Sequence, residues 1–146
     1  MKISTRSDYA VRALLSLALH QTDWKTSRPT SVKEIAERTG LPQPYLEQIL
    51  LAVKGAGIVR SKRGIGGGYN LNRSPDEITV AAIIAAVEGP LVTPLGKHDH
   101  CEGHCALQEV WIAAAEERRS ILERVTIGEL IKRTRQGHPE KSAKAS

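Results

Sequence analysis

The sequence predicts a mainly α-helical protein interrupted by one short β-hairpin, and three observations predict it. Apolar residues make up 40% of the 146, mostly Ala, Leu, Ile and Val, with aromatic residues at only 3%. They recur at helical spacing through most of the chain. One stretch breaks that period: GIVRSKRGIGGGYNL, Gly57 to Leu71, which is basic and rich in glycine. A small aliphatic core in so short a chain also favours a second subunit to cover what one copy leaves exposed.

Taken in order, a first helix runs from about Ser7 to Leu19, with Ser7 as its cap and Val11, Leu14, Leu15 and Ala18 on one face. Its apolar run, VRALLSLAL, is interrupted by Asp8 and Arg12 and followed by no small-residue cleavage site. It therefore reads as an amphipathic helix of a cytoplasmic protein, not as a signal peptide. No segment reaches the ~18 apolar residues of a membrane span.

A second helix opens at TSVKEIAERTG. Ser31 caps it, Glu34 stands at the capping-box position and Gly40 ends it, with Val32, Ile35 and Ala36 pointing inward. The third spans about Gln43 to Lys54, tolerates Pro44 in its first turn and buries Leu46, Ile49, Leu50 and Val53. Then IVRS and GYNL form the arms of the hairpin. SPDEITVAAIIAAVEGP is a helix introduced by Ser74 or Thr79, and an irregular loop follows it. The last long helix covers about Cys105 to Arg124, with Leu107, Val110, Trp111, Ala114, Ile121 and Leu122 on one stripe. Thr126 caps a short helix in TIGELIKR, and residues 135–146 read as a disordered polar tail.

Two short helices joined by a glycine turn, followed at once by a basic hairpin, make a winged helix-turn-helix. Charge supports that reading. Net charge is +5, and residues 1–77 hold twelve Lys and Arg against seven Asp and Glu, while residues 78–146 hold nine of each. Between Glu47 and Asp76 stand Lys54, Arg60, Lys62, Arg63 and Arg73 with no acid among them, as on a phosphate-facing surface. The glycines are not a nucleotide cradle. GxGxxG fails from both Gly64 and Gly66, no GK[ST] follows, and the loop leads into a strand instead of a helix. A wing with a small-residue tip suits the minor groove, where Arg63 would reach in. The long helix with an apolar stripe beyond such a module reads as a dimerising element.

KHDHCEGHC, Lys97 to Cys105, gathers both cysteines and three of the five histidines. Their close spacing in a cytosolic chain points to metal or redox chemistry more than to a structural disulfide. His98 or His100 with Cys101, His104 and Cys105 would make a Cys₂His₂ zinc site, although C-x₃-C departs from the common C-x₂-C knuckle. A metal-free pair of redox-active thiols is the other reading of the residues alone. Catalysis is not expected. Glu102 is the one candidate base, H-E-x-x-H is absent, and so small a chain offers no evident substrate cleft.

The runs MKISTRSDYAVRALLSLA, SVKEIAERTGLPQPYLEQIL, GAGIVRSKRGIGGGYNL, SPDEITVAAIIAAVEGP, the cysteine loop before CALQEVW, and VTIGEL follow one another in an order that resembles one family. These are the Rrf-type winged-helix transcriptional regulators, the IscR- and NsrR-like iron–sulfur regulators. The resemblance covers about residues 1–134. It implies a homodimeric DNA-binding repressor, two winged helices on a palindromic double-stranded operator, and an iron–sulfur cluster, [2Fe–2S] above all, that senses redox, iron or nitric oxide. Residue by residue, it places Gln43, Tyr45, Glu47 and Gln48 at the start of the recognition helix. Gln43 and Gln48 have the amide chemistry that pairs with adenine, and Glu47 can accept from cytosine. Arg63 matches the wing arginine, Gly64 its neighbour, and Arg60 and Lys62 are assigned to phosphates.

The cysteine loop departs from the family pattern. Cluster-binding members typically carry three cysteines there. Here Cys105 matches the last, Cys101 stands for the middle one on shorter spacing, and no first exists. Gln108 occupies the position where one member uses histidine. Asp8 matches a carboxylate that some members draw from the first helix, so the resemblance leaves Asp8, His98, His100 and His104 as candidates to complete the site, with zinc or no metal as alternatives. The expected organisation is a DNA-binding domain over 1–77, a sensor loop with dimerisation helices over 78–134, and the tail. The expected location is the cytoplasm, at the nucleoid.

Overall fold

Ser4, not Ser7, starts the first helix. The computed structural model describes residues 3–89 and 101–137, and in it α1 covers Thr5–His20. Ser4 Oγ accepts from the Ser7 N–H at 3.0 Å, so Ser7 lies inside the first turn and is buried. The buried face of α1 is accordingly turned toward Ala10, Ala13, Leu14, Leu17 and Ala18, leaving Val11 and Leu15 half-buried at its edge. A cap one turn earlier was available in ISTRSD, where two serines compete for the role.

The next two helices form as expected. In α2, Val32–Thr39, Ser31 Oγ accepts from Glu34 N at 3.1 Å and Gly40 closes the helix in the left-handed region. In α3, Gln43–Gly55, Leu46, Ile49, Leu50 and Val53 are fully buried while Gln43, Tyr45, Glu47 and Gln48 stay exposed. Ile35, Leu41 and the buried leucines of α1 fill the space between the three helices.

Strands β1, Val59–Lys62, and β2, Gly68–Leu71, pair antiparallel with Val59 opposite Leu71 and Lys62 opposite Gly68. The hairpin is bound to the body of the molecule along one whole side. Thr30 and Tyr69 exchange both backbone hydrogen bonds, at 2.8 and 2.9 Å. Buried Gln21 continues that ladder with its side chain, donating Nε2 to Tyr69 O and accepting from Leu71 N. Asn70, also buried, donates to Ser27 O at 2.7 Å. The polar connector after α1 is thus a third partner for the wing, which fixes its angle against α2 and α3.

Both serine and threonine candidates for the fourth helix are used. Ser74 caps a 3₁₀ turn over Pro75–Glu77, and Thr79 caps α4, Val80–Glu88, accepting from Ala82 N at 3.0 Å. Val80, Ala81, Ile83, Ile84 and Val87 bury α4 on several sides, between α1, α3 and α5. Helix α5 spans His104–Arg124, and α6 spans Ile127–Gln136 under a Thr126 cap. The last helix runs past the point where a disordered tail was expected. Residues 135 and 136 are helical, the turn being supported by Thr134 Oγ1 donating to Leu130 O and by the Arg133–Glu129 ion pair. The remainder of the expected tail, residues 138–146, lies outside the described residues.

The segment between α5 and α6 returns to the start of α4. Val80 N donates to Val125 O and Ile127 N to Ile78 O, both at 2.9 Å. Ile127 enters the core fully buried, and α6 packs on α1 and the 3₁₀ turn. Helix α5 is different. At roughly 30 Å long, it packs on α4 and has no buried residue. Leu107, Val110, Trp111, Ile112 and Ile121 are each at least 42% exposed. The stripe read in the sequence exists, and the described residues of one copy leave it exposed.

Candidate nucleic-acid interface and cysteine site

The exposed face of α3 is built by its buried one. With Leu46, Ile49, Leu50 and Val53 locked into the core, the intervening Tyr45, Glu47 and Gln48 point away from it, and Gln43 opens the helix. Tyr45 is braced from behind: its ring meets Tyr9 of α1 edge to face at 5.7 Å, and the Arg12 guanidinium lies 5.9 Å from the Tyr9 centroid. Leu51, one turn beyond Glu47, is 61% exposed on this same polar face. Helical spacing already leaves Leu51 off the buried face of Leu46, Ile49, Leu50 and Val53, but in a run of apolar residues its exposure does not stand out in the sequence.

The wing stands close enough to α3 for the two to interact. Burial first, and then the charge of Glu47, push the Tyr69 phenol above its ordinary value. At the tip, Lys62, Arg63 and Gly64 are exposed. Arg60 is not placed with them. Its guanidinium donates to Trp24 O at 2.9 Å, to Lys25 O at 3.2 Å and to Leu71 O. An arginine that holds three carbonyls across two segments braces the wing, and these bonds compete with the phosphate contact expected of it. Nothing in its sequence context distinguishes Arg60 from Lys62, and strand alternation puts both on the same face of β1; the connector carbonyls of Trp24 and Lys25 beside Arg60 make the difference.

The cysteines come together. Glu102 (φ 30°) and Gly103 (φ 86°) are both left-handed, and they curl the chain so that Cys101 folds back onto the first turn of α5. Cys101 Sγ lies 3.2 Å from Cys105 Sγ, with both side chains exposed and no disulfide between them. The backbone N–H of Cys105, then the Cys105 thiol, and more weakly the amides of Gly103 and His104 pull the Cys101 thiol below its usual range. Cys105 is pushed up, first because its own thiol is held as a donor to Cys101. Of the two thiols, Cys101 is thus the one that gives up its proton more easily, beside the amide-rich first turn of a helix.

His104 is the first residue of α5 and half-buried. His98 and His100 lie outside the described residues. Asp8 stands in the first turn of α1, its carboxylate 3.7 Å from Arg12 Nη1. Among the described residues, no group of three or more His, Cys, Asp or Glu side chains converges to hold a metal ion. A [2Fe–2S] cluster and a tetrahedral zinc ion each take four donors. The described residues of one chain therefore supply one edge of such a site, two adjacent sulfurs, and do not complete it. No helix among them is long and apolar enough to cross a membrane.

Residues 3–133 match the family described as Rrf2, Iron-dependent Transcriptional regulator. The slr0846 protein of Synechocystis sp. is 50% identical over 91 residues, which is 62% of this chain and 59% of that one, so the match spans less than two thirds of its length. The HTH-type transcriptional regulator IscR of Aliivibrio salmonicida is 36% identical over 134 residues, 90% of this chain and 77% of the relative. Among solved structures, CymR, the global cysteine regulator of B. subtilis, superposes with a TM-score of 0.75 at 34% identity, covering 90% of this chain and 97% of CymR. IscR of T. potens gives 0.73 at 35% identity, covering 92% and 88%.

Proposed function

The chain belongs to the Rrf2 family of transcriptional regulators, and from that premise we propose that it acts as a homodimeric repressor whose affinity for a palindromic DNA operator is set by the state of the Cys101–Cys105 pair. The observation that carries the DNA reading is the exposed row Gln43, Tyr45, Glu47 and Gln48 beside a wing whose exposed cations are Lys62 and Arg63. Gln43 and Gln48 offer paired donors and acceptors to adenine edges in the major groove, and Glu47 accepts from cytosine. Lys62 and Arg63, with Gly64 allowing close approach, hold the flanking backbone and minor groove.

The uncovered stripe of α5 supports dimerisation. Leu107, Val110, Trp111 and Ile121 lie at helical spacing and are exposed in one copy. A second copy crossing there would bury them and set the two recognition helices about one helical turn of DNA apart.

For the sensor, the first reading is a [2Fe–2S] cluster held by Cys101 and Cys105, with remaining ligands from His98, His100, His104 or the partner subunit's Asp8. Such a cluster supplies one-electron redox chemistry and a target for nitric oxide. The lowered pKa of the Cys101 thiol, beside the neighbouring Cys105 sulfur, suits the pair to a soft metal centre. The second reading is a metal-free dithiol, favoured by the 3.2 Å approach of the two sulfurs: with modest movement, a two-electron oxidant such as a peroxide would take two electrons and two protons from the pair to form the S–S bond, itself being reduced to water. Anaerobic purification followed by a visible spectrum with iron, sulfide and zinc analysis separates the two. The DNA reading is tested by selecting duplexes from a random pool. A regulator retains palindromic duplexes with affinity that falls steeply as salt rises, and retention of no duplex contradicts it.

A further inference from the structure

Ile65 stands at the tip of the wing with a relative exposure of 107%, so its side chain touches almost nothing of the protein. It is held there with some rigor. Gly67 N donates to Gly64 O at 2.9 Å, closing a four-residue turn with Ile65 at its first corner. Gly66, at the second corner, has φ 76°, the left-handed conformation that such a turn takes most readily with glycine. A side chain at Gly67 would lie 2.2 Å from Lys62 O, so the turn closes tightly on the strand. Behind it, Arg60, Gln21 and the Thr30–Tyr69 pair fasten the hairpin to the body. A flexible loop could fold an isoleucine back onto itself. This turn presents it outward.

Resting on the DNA-binding reading above, we propose that Ile65 is a minor-groove wedge, an apolar side chain that the wing inserts against a base step while Lys62 and Arg63 hold the phosphates and groove on either side. The flanking glycines keep the tip narrow enough to enter. Apolar wedges that unstack a step are an established way to bend DNA from the minor groove, and isoleucine is among the residues used. The chemistry specifies the preferred site as well. Pyrimidine–purine steps open most easily, so Ile65 would favour an operator carrying one at the position each wing reaches, without any hydrogen bond to its bases.

The test uses the full-length chain and a palindromic duplex selected by it, carrying an aminopurine probe at the flanking step. The wild type should raise probe fluorescence on binding, as the step unstacks. Ile65→Ala should bind about tenfold more weakly, lose the fluorescence rise and keep the wild-type salt dependence, since no phosphate contact is removed. Ile65→Leu should restore most of both. Arg63→Ala, in contrast, should flatten the salt dependence. Equal affinity and fluorescence for Ile65→Ala and wild type would overturn the wedge while leaving the DNA reading intact. Unchanged DNA affinity with altered transcription would assign the tip to a protein contact and overturn it too. A wild-type chain that retains no duplex would overturn the DNA reading itself and the wedge with it.

Discussion

Tyr45, on the exposed face of α3, rests edge-on against Tyr9 of α1, their planes 81° apart. A side chain assigned to DNA is thus positioned by one that is not. Tyr9→Ala removes the support, and an aromatic pair of this kind contributes about 0.5–1.5 kcal/mol. The expected result is a several-fold loss of affinity for the selected duplex with an unaltered salt slope. Tyr9→Phe keeps the ring and should keep the affinity. Anisotropy titrations of the three proteins decide it, and equal affinity for Tyr9→Ala would show that Tyr45 needs no brace.

The two thiols should titrate apart. Cys101 is lowered chiefly by the Cys105 backbone N–H, and Cys105 is raised chiefly by donating to Cys101. A lowered pKa means that the thiolate is already present below the ordinary thiol range, so in metal-free protein at neutral pH an alkylating reagent should label Cys101 first. As pH rises, labelling of Cys101 levels off while that of Cys105 goes on increasing. Peptide mass spectrometry across a pH series reads both. Equal rates at all pH values would contradict the pairing.

Trp111 is 56% exposed in the middle of the α5 stripe. Trp111→Glu places a charge where the account puts a subunit interface, and burying an unpaired charge is costly enough to separate a dimer of this size. Sedimentation should show a dimer for the wild type and a monomer for the variant. Circular dichroism should remain unchanged, because Trp111 is not part of the core. A variant that stays dimeric would move the interface elsewhere.

Gly128, in the first turn of α6, lies against the 3₁₀ turn, and a β-carbon there would lie 1.9 Å from Asp76 Oδ1. Asp76 is exposed and can be displaced, but its own Cα is 3.3 Å from the same point. Gly128→Ala should therefore destabilise the fold by roughly 1–3 kcal/mol, seen as a lower Tm. The further substitution Asp76→Gly should recover part of the loss. An unshifted Tm for Gly128→Ala would mean that α6 is free to move away from the turn.

Much of the fold is legible in the sequence because local signals and burial agree. Ser31, Gly40, Thr79 and Thr126 each mark a helix end that the structure reproduces, and the buried faces of α3 and α4 follow their apolar spacing. The first helix shows where that fails: in ISTRSD, a choice between two serines one turn apart depends on which face of the helix the rest of the molecule buries. Charge assigns Arg60 to phosphate, but its environment comes from the connector at Trp24 and Lys25, 36 and 35 residues away in sequence. Long-range pairing of that kind leaves no local mark. The cysteine pair was legible as a pair. The left-handed Glu102 that brings the sulfurs together was not, since glutamate carries no preference for that conformation.

The central claim is that the Cys101–Cys105 pair governs DNA affinity, and one titration tests it most directly. The selected duplex is titrated with anaerobically isolated protein, and again after the pair has been oxidised and any metal removed, using wild type and a Cys101→Ser, Cys105→Ser double variant. The account predicts at least about a tenfold difference between the two states of the wild type, a coupling of ordinary size for a regulator, and none for the double variant. Identical affinities in both states of the wild type, or an equal shift in the double variant, would contradict it.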